Sequence, residues 1–250
     1  MKQTIIASIV SALVLSACSQ DNPLPNTSTP LHAADVEVEF TILVENISQS
    51  TTLSSALSPL VWSLSPQAGA LLKEDQTASP EFEKLAEDGA PEALADRADV
   101  DTIKGHLSGP IAPGSQMSFR FKAKPGMRLS FAGMLVETND IFVALQSESM
   151  TLFDADNEPI APGPLTLALW DAGTEVNQAP GQGADQAPRQ ALANTGSSEN
   201  SVIKHLDEIN DGFSYPEAGQ LLRVTLQHNH EHSHAETDHQ STDSDHDHAH

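Results

Sequence analysis

The sequence predicts an all-β protein: an antiparallel β-sandwich with two short decorating helices, accompanied by a disordered tether, loop and tail. Three observations point there. Val36, Val38, Phe40, Ile42 and Val44 alternate with Glu37, Glu39, Thr41 and Glu45, the period-2 pattern of a half-buried strand. Further short apolar runs are separated by turn signals such as Gly109-Pro110, Pro113-Gly114 and Pro125-Gly126, the spacing expected of a sandwich. Met134-Leu135-Val136 and residues 141–145 are apolar without alternation, which places them in the middle of a sheet.

Composition bounds the function. The chain has 250 residues, a net charge of −23, only 12 Lys and Arg, and one cysteine. Sparse, scattered basic residues exclude a nucleic-acid binder, whose phosphate contacts need clustered positive charge. The carboxylate excess suits a soluble, cation-attracting surface. Without its leader and tail the chain keeps roughly 190 residues, enough for one well-buried domain.

Residues 1–17 read as a lipoprotein signal peptide: Met1-Lys2 is followed by an apolar run over 4–15, too short for a bilayer span of about 20 residues. Leu15-Ser16-Ala17-Cys18 resembles the bacterial lipobox, and the only cysteine stands where that chemistry needs it. Cys18 is therefore the expected lipid anchor, and the cell envelope the expected location. Ser19 in place of Asp favours the outer membrane, on its periplasmic or surface face, by resemblance to the usual sorting pattern. With Cys18 used, no disulfide is expected. Residues 18–34 are polar and proline-rich, a flexible tether.

The sandwich is expected over residues 35–227. A strand over 35–46 opens it, with Leu43 the single misfit and an Asn46-Ile47-Ser48 triplet at its end. Leu57-Ser58-Pro59 and residues 61–64 form a short strand or loop. Ser79-Pro80 signals a helix start and Gly89 its stop, with Phe82, Leu85 and Ala86 on the buried face. Residues 91–98 repeat the pattern. Strands follow over 115–122, 128–136, 141–145, 165–170 and 221–226. Asp154, Asp156 and Asn157 make an acidic turn, because the glycine and terminal Glu of a calcium loop are missing. Residues 176–200, rich in Ala, Gln, Gly and Pro, read as a long mobile loop.

Two of the apolar strands end in acidic turns, Thr138-Asn139-Asp140 and Asp171-Ala172-Gly173-Thr174-Glu175. Asp140, Asp171 and Glu175 supply three carboxylates, and calcium takes six to eight oxygens. Two capped turns, each Asp accepting from nearby backbone N–H groups, fit the same residues. The segments RLSFAGMLVETNDIFVAL and LTLALWDAGTE resemble the signature of the spondin domain, the F-spondin N-terminal domain, in bacterial lipoprotein form. Weaker similarity runs over residues 36–226. The resemblance implies a spondin/C2-like sandwich with calcium on Asp140, Asp171 and Glu175, and an adhesion or matrix-interaction module with a matrix or cell-surface ligand. Glu175 departs from the usual Asp. The disulfides and extra matrix-binding modules of animal members are missing, so their specific partners do not carry over.

No G-x-S-x-G, H-E-x-x-H or phosphate-cradling loop occurs, and an enzyme is not expected. Residues 228–250 hold eight of the eleven histidines. His228, His230, His232 and His234 alternate, and His246, His248 and His250 form a second set. Such a tail is expected to be disordered and to take zinc or another transition metal, since imidazole is a ligand for these ions. The alternative function is therefore transition-metal capture at the cell surface or in the periplasm.

Overall fold

The structure is a computed structural model and describes residues 37–228. Cys18 and His230, His232, His234, His246, His248 and His250 lie outside the described residues. The opening alternation is strand β1 (Val38–Asn46), with Phe40, Ile42 and Val44 fully buried. It pairs on one side with β4 (Gln116–Ala123) and on the other with β11 (Leu222–His228). With β8 (Gly163–Pro164) these make a four-stranded sheet in the order β4-β1-β11-β8.

The second sheet is larger. Its path is β10 (Lys204–His205), β9 (Leu167–Asp171), β6 (Ile141–Leu145), β5 (Arg128–Met134), β2 (Val61–Ser65) and β3 (Ile103–His106). A short β7 (Met150–Thr151) also pairs with β5, and every pairing is antiparallel. The protein is an all-β sandwich, as its sequence predicts. Phe40, Ile42 and Val44 face Leu64, Phe131 and Val143 across the main core.

The unbroken apolar runs have a physical cause in a second core on the outer face of the larger sheet. There α1 (Pro80–Asp88) and α2 (Glu92–Asp96) bury Phe82, Leu85 and Leu94 against Val61, Phe142 and Trp170. Ala132, Ala144 and Ala168 on that face allow the helices to approach. Both faces of β6 are therefore buried, and the helices close a layer of the fold. The caps of α1 are as expected: Ser79 Oγ accepts from Phe82 N, and Gly89 adopts φ 65°. A third, one-turn helix, α3 (Ala218–Leu221), starts at a Glu217/Gln220 capping box and buries Ala218 and Leu221 in the main core.

Two expectations need correction. His228 is the last residue of β11, opposite Phe40, with its Nε2 3.1 Å from the Ile160 carbonyl; it belongs to the sandwich, not to the tail. Residues 176–200 are almost devoid of regular structure, yet they are tied to the sandwich by specific hydrogen bonds and bury Gln186 completely. At the end of β1 the buried Asn46 acts as a clamp, its Nδ2 donating to the carbonyls of Ser55 and Ile111.

The two ends of the described chain lie at one pole, where Val38 pairs with Ala123 and Phe40 with His228. β1 runs from there to Asn46, which bonds Ile111, and Leu57 bridges Ile111 and Leu135. Leu135 leads through Thr138 and Asp140 into β6. The acidic turns thus occupy the opposite pole. Among the described residues no helix is long and apolar enough to cross a membrane.

Candidate metal centre

Antiparallel pairing of β6 with β9 sets Ile141 opposite Asp171, so Asp140, one residue earlier, meets the end of β9. Both aspartates are fully buried. Gly173 turns the chain after Asp171 with φ 67°, and a Cβ there would stand 2.7 Å from the Val202 carbonyl. Only glycine fits this approach. Gly173 N and Asn177 Nδ2 donate to the two oxygens of Asp171 at 2.7 and 2.6 Å.

Asp140 is asymmetric. Its Oδ2 accepts from Thr174 N at 2.8 Å, Thr174 Oγ1 at 3.1 Å and Glu175 N at 3.1 Å. Its Oδ1 is buried and has no hydrogen-bond partner. The capped-turn reading accounts for Oδ2 and leaves Oδ1 without a partner.

The third carboxylate is Glu199. One oxygen each from Asp140, Asp171 and Glu199 lie within 4.8 Å of one another. Glu199 arrives because its N–H donates to the Thr174 carbonyl at 2.9 Å, while Ser201 N donates to Gly173 O and Glu175 bridges to Ser198. Glu175 itself points elsewhere. Its Oε1 accepts from Asn139 Nδ2 at 3.0 Å, and its carboxylate fills the space that a Cβ on Gly196 would need. Glu175 serves the centre through its backbone N–H, not its carboxylate. Nothing in the run Ser197-Ser198-Glu199-Asn200 marks Glu199 as a ligand; only the return of the chain across Gly173 does.

The charges are poorly compensated. Burial, then the charge of Asp171, hold the Asp140 carboxyl well above the usual range despite three donors. Burial raises Asp171, with Asp211 adding to it. Burial, Asp171 and Asp211 raise Glu199. Buried carboxylates this close cannot all ionise without a proton or a cation between them. Two more acids lie under the 176–200 segment: burial raises Glu175, and burial with the Glu175 charge pushes Glu87 up to about 7.

Elsewhere, Asp154 Oδ1 accepts from Asp156 N and Glu158 N at 2.9 Å, the acidic turn expected. No family model matches the chain, and no curated protein matches it. The spondin resemblance rests on the two motif segments.

Proposed function

We propose that the sandwich is a calcium-binding module of an envelope lipoprotein, the cation held by Asp140, Asp171 and Glu199. The observation that carries this is Asp140 Oδ1, a fully buried carboxylate oxygen without a donor beside two other carboxylates. Leaving such an acceptor unpaired costs about 1–3 kcal/mol or more, which a cation offsets. The ligand set is all oxygen, with neither histidine nor cysteine, and favours a hard cation over zinc or copper. Bound calcium supplies positive charge that joins β6, β9 and the 176–200 segment at the pole away from the chain ends. The rigid tip then serves adhesion to a matrix or cell-surface ligand. Cys18 anchors the chain in this reading. The alternating histidines after residue 229 favour a second, separate activity, the capture of zinc or a related ion by the tail.

Thermal melting of wild type and variants, with calcium and with chelator, tests the site. Calcium at about 100 times its Kd adds roughly 2.7 kcal/mol, a rise of about 5–10 °C for a domain of this size. Asp171→Asn and Glu199→Gln are expected to lose most of that rise, and Glu175→Gln to keep it. A wild type that melts identically in calcium and chelator overturns the proposal.

A further inference from the structure

Against the metal centre, between β9 and the chain from 205 to 218, lies a cleft of about 310 Å³. That is the small end of the range of ligand sites, roughly 300–1,000 Å³. Its walls combine two chemistries. Leu169 and Leu206 contribute apolar surface, and Phe213 and Tyr215 contribute rings. Phe213 keeps 39% of its surface exposed, so its ring is within reach of a guest in the cleft. Asp207, Asp211 and Glu217 also line the cleft, and none of its lining residues is Lys or Arg.

Two of these carboxylates are held in place. Asp211 accepts from Phe213 N at 2.9 Å and from the Tyr215 hydroxyl at 2.7 Å. Glu217 takes part in the capping box of α3. Asp207 is exposed. Burial and the Asp211 hydrogen bond raise the Tyr215 hydroxyl above its ordinary value, so it stays a donor to Asp211. An anion is repelled from such a cleft, and a neutral guest can hydrogen-bond to its carboxylates but gains no charge attraction. A cation gains both from the carboxylates and from the faces of the rings.

We propose that this cleft binds an organic cation, an amine or guanidinium on a short apolar stem. The stem lies on Leu169, Phe213 and Tyr215, and the charge meets Asp207 and Asp211. This assignment is independent of the calcium reading, and its test is done in chelator so that each stands or falls alone.

The test is a titration of the full-length, 15N-labelled protein at low salt. The probes are agmatine, an amine and a guanidinium joined by a butyl chain, the peptide Gly-Arg-Gly, and butanediol as the neutral control. Trp170 reports occupancy, because its ring lies against cleft residue His205, tilted by 32° with centroids 3.6 Å apart. Saturable shifts in residues 205–217 and in the Trp170 indole N–H are expected with a cationic probe and not with butanediol. Tighter binding of agmatine identifies a free small cation, and tighter binding of the peptide identifies a basic side chain; either supports the assignment. Asp207→Asn is expected to weaken binding about threefold, the effect of one screened charge at contact distance. The assignment is overturned if neither cationic probe shifts these signals, if butanediol shifts them equally, if Asp207→Asn changes nothing, or if the shifts spread over other exposed acids such as Asp154.

Discussion

At the scale of single residues, the metal pole is governed by where each carboxyl oxygen finds a donor. Asp171 has a donor on each oxygen, Asp140 on one, and Glu175 has turned to Asn139. Glu87 shows what burial does without a donor array: only 4% exposed, its carboxyl is pushed up to about 7 by burial, with Glu175 adding to the effect. The folded state holds that proton more tightly than the unfolded chain, where Glu titrates near ~4.3. Its stabilising contribution is therefore complete below about pH 4.3 and is lost as pH rises through about 7. Glu87→Gln fixes the neutral form. In chelator, the wild type is expected to lose roughly 1–2 kcal/mol more than the variant between pH 5 and pH 8, after discounting for solvent. That is a difference of about 3–6 °C in melting temperature. Parallel pH profiles for the two proteins would show that Glu87 is ionised in the fold.

At the scale of elements, the segment from 176 to 199 is a strap that closes the metal pole. Val176 N bonds Ser197 O, Gly181 N bonds Glu137 O, and Gln190 Nε2 bonds Asp88. Arg189 is the central tie, donating to the Gly183 carbonyl at 2.8 Å, to Glu137 at 2.7 Å and to Gln186. Because the strap adds little to either hydrophobic core, it is expected to open locally before the sandwich unfolds. Arg189→Ala removes all three bonds, a net loss of about 1.5–3 kcal/mol after solvent screening of the exposed pair, so strap opening rises by at least about tenfold. Limited proteolysis should cut the variant between residues 180 and 195 about ten times faster, with the melting temperature of the sandwich little changed. Equal cleavage rates would show that other contacts hold the strap.

At the scale of the whole molecule, the two ends of the described residues and the acidic turns of Asp140 and Asp171 stand at opposite poles of the sandwich. His228, the last described residue, is committed to β11 at the pole away from the acidic turns. Tail and centre should therefore bind metals independently. Deleting residues 229–250 is expected to abolish zinc binding while leaving the calcium-dependent melting shift intact, both read by calorimetry and melting. Zinc uptake by the wild type should be present at pH 7.5 and largely lost by about pH 5.5, because only neutral imidazole coordinates and free His titrates near ~6.5. Full zinc capacity in the truncated protein would leave the tail without a metal role.

What the sequence determined alone was whatever has a local physical cause. Alternation in β1 follows from one face packing on the core, and the ends of α1 follow from Ser79, Pro80 and Gly89. Asp140 and Asp171 were legible because each ends an apolar strand at a turn. The remainder depended on contacts between distant segments. Glu199 rather than Glu175 joins the aspartates because the chain returns across Gly173, and the strap is held by Glu137, Asn139 and Asp88, each far away in sequence. Its Ala-, Gln- and Gly-rich composition supplies no apolar periodicity, so its order comes from hydrogen bonds that exist only once the sandwich has formed. His228 likewise reads as tail by composition, yet it pairs with Phe40 because the β1–β11 ladder extends that far.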